Sequence, residues 1–184
     1  MQSYVGPASL LSLFLGAIRL DRETYERAAA EPRATHQCLA MTALAAVCQA
    51  AYVAHQTGDP WPLVAMIGMA LALLGLLGRA IALWLIGKLG GARGRITIGS
   101  AIRPLSLAAA PGVLFVIGAF LDAAGPRGRE IAVGVLDPGV GAWLLVASVV
   151  AMRVALRRGW LVAILMALAF RLVEAIVNYV VRAA

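Results

Sequence analysis

The sequence predicts an all-α membrane protein: a polytopic bundle of five transmembrane helices preceded by an N-terminal interfacial and amphipathic segment. Three observations lead there. Hydrophobic residues make up 62% of the 184 residues and charged ones only 14%, whereas soluble chains carry roughly 25% charged residues. A soluble globule of this size has no interior large enough to hide that much apolar surface, so much of it must face lipid. The apolar residues fall into five stretches of about the length a bilayer demands. The basic residues punctuate those stretches on alternating sides.

Residues 1–33 read as a cytoplasmic segment of two short helices. Pro7 is a good first helical residue, and Ala8 to Leu20 is apolar apart from Ser9, Ser12, Gly16 and Arg19. That is too short to span, so the stretch reads as an interfacial helix. Asp21 to Ala30 is polar, and Arg22 with Glu26 and Glu23 with Arg27 are opposite charges one turn apart. Glu31-Pro32 ends it, because a residue before proline is pushed out of helical geometry.

Residues 34–184 form the membrane domain. Its first span is expected at about 35–55, closed by Thr57-Gly58-Asp59-Pro60. The second is expected at 61–87, interrupted by Arg79. A glycine-rich basic loop leads to the third at 104–121, with Pro111 near its middle. A polar connection, Asp122 to Asp137, precedes the fourth at 139–156, and the fifth follows at 159–181. No cleavable leader is evident, so insertion is expected to rely on the spans themselves.

Charge provides an independent test. Arg19, Arg22, Arg27 and Arg33 precede the first span. Lys88, Arg93, Arg95 and Arg103 lie between spans two and three, and Arg153, Arg157 and Arg158 between four and five. The loops on the opposite side hold none and two (Arg127 and Arg129), giving 11 against 2. The positive-inside rule then places the N-terminus in the cytoplasm and the C-terminus across the membrane.

Two stretches carry a resemblance. LDRETYERAAAEPRATHQCLAMTALAA, from Leu20 to Ala46, and LGGARGRITIGSAIRPLSLAAAPGVL, from Leu89 to Leu114, resemble the Yip1 family of small five-span membrane proteins. The first matches a charged helix ending at an acid-Pro pair before span one. The second matches a Gly-Gly loop, a basic stretch and a third span with a mid-span proline, here Pro111. The resemblance implies a five-span fold with a cytoplasmic N-terminus, and points to a bacterial inner membrane. In eukaryotes the family is associated with prenylated Rab GTPases and vesicle traffic.

The chemistry-bearing residues are sparse. His36 and His55 lie at opposite ends of span one, about 28 Å apart at helical rise, too far to share a metal. Cys38 and Cys48 are set ten residues apart on one helix, which excludes a disulfide between them. No metal, cofactor or catalytic constellation is expected, and the scattered basic residues without stacking aromatics argue against nucleic acid. Arg171, Glu174 and Asn178 share one face of span five, and Arg79 in span two lies at a depth that allows it to join them. Two readings stand: a site for an anionic headgroup, ion or proton, or a buried network that fixes helix register. Lys88, Arg93, Arg95 and Arg103 form a candidate lipid-headgroup or partner loop, against plain cytoplasmic retention. Gly68 and Gly75 read as helix-packing positions and Pro111 as a kink. The expected function is non-enzymatic: an organising or adaptor protein that engages membrane lipids, other membrane proteins or further copies of itself. The alternative is a small transporter, channel or lipid-handling protein that uses the Arg79, Arg171 and Glu174 group.

Overall fold

The computed structural model describes residues 9–89 and 96–183, and among them the regular structure is helical. Ser9 caps α1 (Leu10–Ile18) and Asp21 caps α2 (Arg22–Ala30). Leu20, at φ 57°, turns the chain between them in the left-handed region. The turn is tight: a Cβ on Gly16 would meet Thr24 Oγ1 at 2.2 Å, so only glycine fits there. In α2 both expected ion pairs form, Arg22–Glu26 at 2.6 Å and Arg27–Glu23 at 3.2 Å. They are exposed and contribute little to stability.

The Asp21 cap contributes more. Its carboxylate accepts hydrogen bonds from the Glu23 and Thr24 amides and, at 2.6 Å, from the Thr24 hydroxyl. That hydroxyl bond, ahead of the amides and Arg27, holds the Asp21 carboxyl below its ordinary range. A folded-state value below the unfolded one stabilises the fold above the ordinary carboxylate range, and the gain disappears as pH falls through the folded value. Asp21→Ala is therefore expected to cost about 1 kcal/mol at neutral pH. The difference in Tm from the parent protein should shrink in acid, and thermal melts across pH check it.

A 3-10 turn, Pro32–Ala34, leads into α3 (Thr35–Thr57), which ends at Gly58 in the left-handed region. α4 (Trp61–Leu89) follows. α5 (Ile98–Leu107) starts six residues before the expected third span. Thr97 and Ser100 form a reciprocal capping box, Ser100 N to Thr97 Oγ1 at 3.1 Å and Thr97 N to Ser100 Oγ at 3.0 Å. That strong local start outweighs Pro104, which sits inside the helix. Around Pro111 the chain tightens into a 3-10 segment, Ala110–Leu114, and resumes as α6 (Phe115–Ala123).

The expected polar connection before span four is itself helical. Gly125, at φ 108° and ψ −171°, makes the reversal in a region that only glycine enters readily. Pro126 opens α7 (Pro126–Ile131), which passes through a π turn (Ala132–Leu136) into α8 (Asp137–Leu156). Pro138 supplies no N–H and crowds the carbonyl one turn back, and the wider π turn accommodates both. Trp143 falls within this long helix. α9 (Trp160–Ala183) completes the described chain.

Four of these helices are long and apolar enough to cross a membrane: Pro32–Thr57, Trp61–Lys88, Ile98–Ala123 and Pro126–Leu156. α9 contributes a shorter apolar stretch, Trp160–Val173. α3 is central, packed against α4, α5 and α6, while α8 packs on α9, α5 and α2. About half of each apolar window is buried in the first, third and fourth, against 17% in α4. α4 is thus peripheral, and Met66, Leu71 and Leu74 stand on its outer face.

The N-terminal helices are part of the bundle instead of lying apart from it. Leu13, Ala17, Tyr25 and Ala28 are buried in the same core as Met41, Leu83, Leu107 and Met152. α1 is apolar on both sides, since Leu10, Leu11 and Leu15 remain exposed opposite Leu13 and Ala17. A smaller second core, Tyr52, Phe115, Ala132 and Val140, fills the end of the bundle where α3 and α6 terminate.

Candidate functional site

Of the expected intramembrane group, Arg79 lies half-buried on α4 and donates from Nε to the Gly75 carbonyl one turn back, at 3.1 Å. Arg171 is half-buried on α9. α9 packs on α8, and α4 packs on α3 and α5 and more lightly on α8. The side chains of Glu174 and Asn178 lie outside the described residues, as do Arg93 and Arg95 of the basic loop. Gly68 faces α3, with Ala50 Cβ 3.7 Å from where its own Cβ would stand. Gly75 looks outward, and the nearest atom belongs to Arg79.

The basic residues of the candidate loop divide. Lys88 is exposed, its Nζ 4.3 Å from the centre of the Trp84 ring. Arg153 stands over Trp160 in the same manner, at 4.0 Å. Both are cation–π contacts of a kind suited to a headgroup boundary.

Arg103 departs from its expected place in a solvent-facing loop. It sits inside α5 and is only 7% exposed. Nε donates to the Ala28 carbonyl at 2.7 Å, Nη2 donates to the Ala29 carbonyl, and Nη1 lies 3.4 Å from Thr35 Oγ1. The last carbonyls of a helix have no partner within it and carry the negative end of its dipole. A guanidinium fork satisfies two of them together, which an ammonium group does less well. Arg103 therefore fixes the end of α2 to the third membrane helix and to the start of α3.

At the opposite end of the bundle the fold assembles a polar cluster from three separate stretches of chain. His55 Nδ1 lies 2.9 Å from Asp122 Oδ2, and Arg129 Nε lies 3.6 Å from Asp122 Oδ1. The Asp122 side chain is 5% exposed and that of His55 47%, so histidine lies at the rim with the carboxylate behind it. Deeper, Tyr52 stacks on Phe115 with ring centres 5.7 Å apart. Gly118 makes room for that ring: a Cβ there would meet Leu136 at 2.8 Å and Tyr52 at 3.0 Å. The Tyr52 hydroxyl lies within the electrostatic reach of Asp137, Asp122 and Arg129. That hydroxyl and Asp137 Oδ1 are both buried, and the Asp137 carboxylate is the side-chain acceptor within reach of the hydroxyl.

No family model, curated protein or solved structure matches this chain. What it does must be read from these residues.

In the sequence His55 stands about 28 Å from His36 at helical rise, and Asp122 to Asp137 reads as a polar connection, so neither points to this cluster. A signal was present: Tyr52 and His55, three apart, share a face of α3, and Asp137-Pro138 interrupts a run otherwise apolar from Ile131 to Leu136. Among the described residues no group of three or more His, Cys, Asp or Glu is arranged to hold a metal ion. Cys38 and Cys48 are buried free thiols.

Proposed function

We propose that this chain is a five-span integral membrane protein of the Yip1-like type, seated in a bacterial inner membrane with its N-terminus in the cytoplasm. It works without catalysis, as an organiser that engages other membrane proteins or lipids. In support of a fifth crossing, α9 is 24 residues long, about 36 Å at 1.5 Å per residue. In support of the orientation, the basic residues outside the spans divide 11 to 3 between the two sides, with Arg182 counted at the C-terminal end.

The observation that carries the organising role is the docked N-terminal hairpin. Arg103 and the buried Tyr25 hold it to the bundle, so it presents a fixed surface. That surface combines exposed Leu10, Leu11 and Leu15 with the charged outer side of α2. A preformed surface binds without the ordering cost a flexible tail would incur.

Photo-crosslinkers placed at Leu11 and Glu23, in the native membrane, test this. Adducts with one protein of discrete mass are the expected result, together with no flux from vesicles reconstituted with the purified chain. Flux that Glu174→Gln abolishes while the protein stays folded would sink the organising role and establish the transporter reading.

A further inference from the structure

The turn between α8 and α9 gathers positive charge with no acid beside it in the chain. Arg153 stands in the last turn of α8, and Arg157, four residues on, caps that helix in the left-handed region at φ 50°. Trp160 opens α9. Between Asp137 and Glu174 the sequence contains no Asp or Glu. Arg153 is half-buried with its guanidinium 4.0 Å over the Trp160 ring, while Arg157 and Trp160 are exposed. Neither arginine makes a hydrogen bond or ion pair among the described residues. The ring takes one face of the Arg153 guanidinium and leaves its in-plane N–H donors to be satisfied elsewhere. A helix C-terminus favours one positive charge, but like charges one turn apart repel. An anion between them removes the repulsion and takes up the donors.

This turn lies at the hairpin end of the bundle. Met152 and Leu156 share a core with Tyr25 and Ala28, whereas Val140, at the other end of α8, belongs to the Tyr52 core. The end of α4 lies there too, since Ile96, just ahead of α5, seats against Gly87. Lys88 repeats the same pairing over Trp84 at that end. Two cation–aromatic pairs at one end of a bundle mark the level of the headgroups.

We infer that the α8–α9 turn binds the headgroup of an anionic phospholipid, with Arg153 and Arg157 holding its phosphate. The guanidinium fork presents paired N–H groups to phosphate oxygens. Below it, exposed Leu161 and Leu165 of α9 meet the acyl chains. Apolar surface running directly on from the charge favours a lipid over an acidic peptide. The inference rests on the membrane placement proposed above and assigns it a class of lipid.

Thermal melts of the purified full-length protein in detergent test this, with phosphatidylglycerol, phosphatidylcholine, soluble glycerol phosphate or a glutamate-rich peptide added. A ligand that binds only the folded state raises Tm with its concentration. Phosphatidylglycerol should raise Tm at lower concentration than phosphatidylcholine, and the two soluble anions should leave it unchanged over the same range. The half-maximal phosphatidylglycerol concentration should rise roughly tenfold or more in Arg153→Gln and in Arg157→Gln, the loss expected for one charge-assisted contact. Arg153→Lys, which keeps the charge without the fork, should lose less. Arg33→Gln at the same end and Arg127→Gln at the opposite end, both exposed positions, should respond as the wild type does. Equal stabilisation by the two phospholipids would overturn the proposal, as would stabilisation by either soluble anion matching that by phosphatidylglycerol. A loss in Arg33→Gln as large as in Arg153→Gln would also overturn it, because diffuse attraction would then suffice. Detergent imposes no orientation and no partner, so these outcomes stand apart from the crosslinking and flux that test the organising role.

Discussion

Arg103→Met is expected to detach the N-terminal hairpin while leaving the membrane helices assembled. Methionine keeps the apolar length of the side chain and removes its donors, so the Ala28 and Ala29 carbonyls lose the guanidinium at once. Hydrogen bonds to a charged group contribute about 1.5–3 kcal/mol each. Losing two, with some recovery from water at the freed helix end, amounts to a destabilisation on the order of 3 kcal/mol. It should be concentrated in α1 and α2. Trypsin should then cut after Arg22, Arg27 and Arg33 far faster than in the parent protein, while α8 and α9 stay protected. Arg103→Lys should fall between the two, because a single ammonium cannot span both carbonyls as the fork does. Equal cleavage rates in Arg103→Met and the parent would show that buried apolar contacts, from Leu13, Ala17, Tyr25 and Ala28, suffice to hold the hairpin.

Gly128→Ala is expected to open the turn between α6 and α7. Gly128 is buried, and a Cβ there would stand 1.9 Å from the Leu121 carbonyl oxygen and 2.8 Å from its carbon. Backbone cannot give way as a flexible side chain can, so one helix must shift. Overpacking of this kind costs about 1–3 kcal/mol, and a clash with main chain belongs at the upper end. Displacing α7 also moves Arg129 away from Asp122, so the loss should exceed that of Arg129→Ala, which removes only an exposed partner. Comparative thermal melts of the two variants in detergent decide it. A Gly128→Ala protein that melts with the parent would mean that α7 is free to slide.

The apolar segments were legible in the sequence because the signal is local: a helix either has enough hydrophobic length or it does not. The same holds for α2, whose cap and ion pairs lie within four residues of one another. Boundaries failed where a local cap or an irregular turn overrode a proline. Pro104 reads as a start, but the Thr97–Ser100 cap begins the helix earlier. Asp122 to Asp137 reads as a polar connection, but α7 and the π turn make most of it helical and run directly into α8. Arg103 was beyond reach for a different reason. Its partners are backbone carbonyls, which have no residue-type signature, and they lie 75 and 74 positions back along the chain. The Tyr52, Asp122 and Asp137 cluster likewise unites α3, α6 and α8, and no spacing rule relates residues on three helices.

The separation between Arg103 and its carbonyl partners also has a bearing on biogenesis. Translation proceeds from the N-terminus, so the hairpin leaves the ribosome before its clasp, which is encoded some two helices later. Until the third crossing arrives, the hairpin has an open seam and an unclaimed core face. A segment made before its clasp is locked late, and a chain stalled ahead of Arg103 carries a loose hairpin that marks it as unfinished.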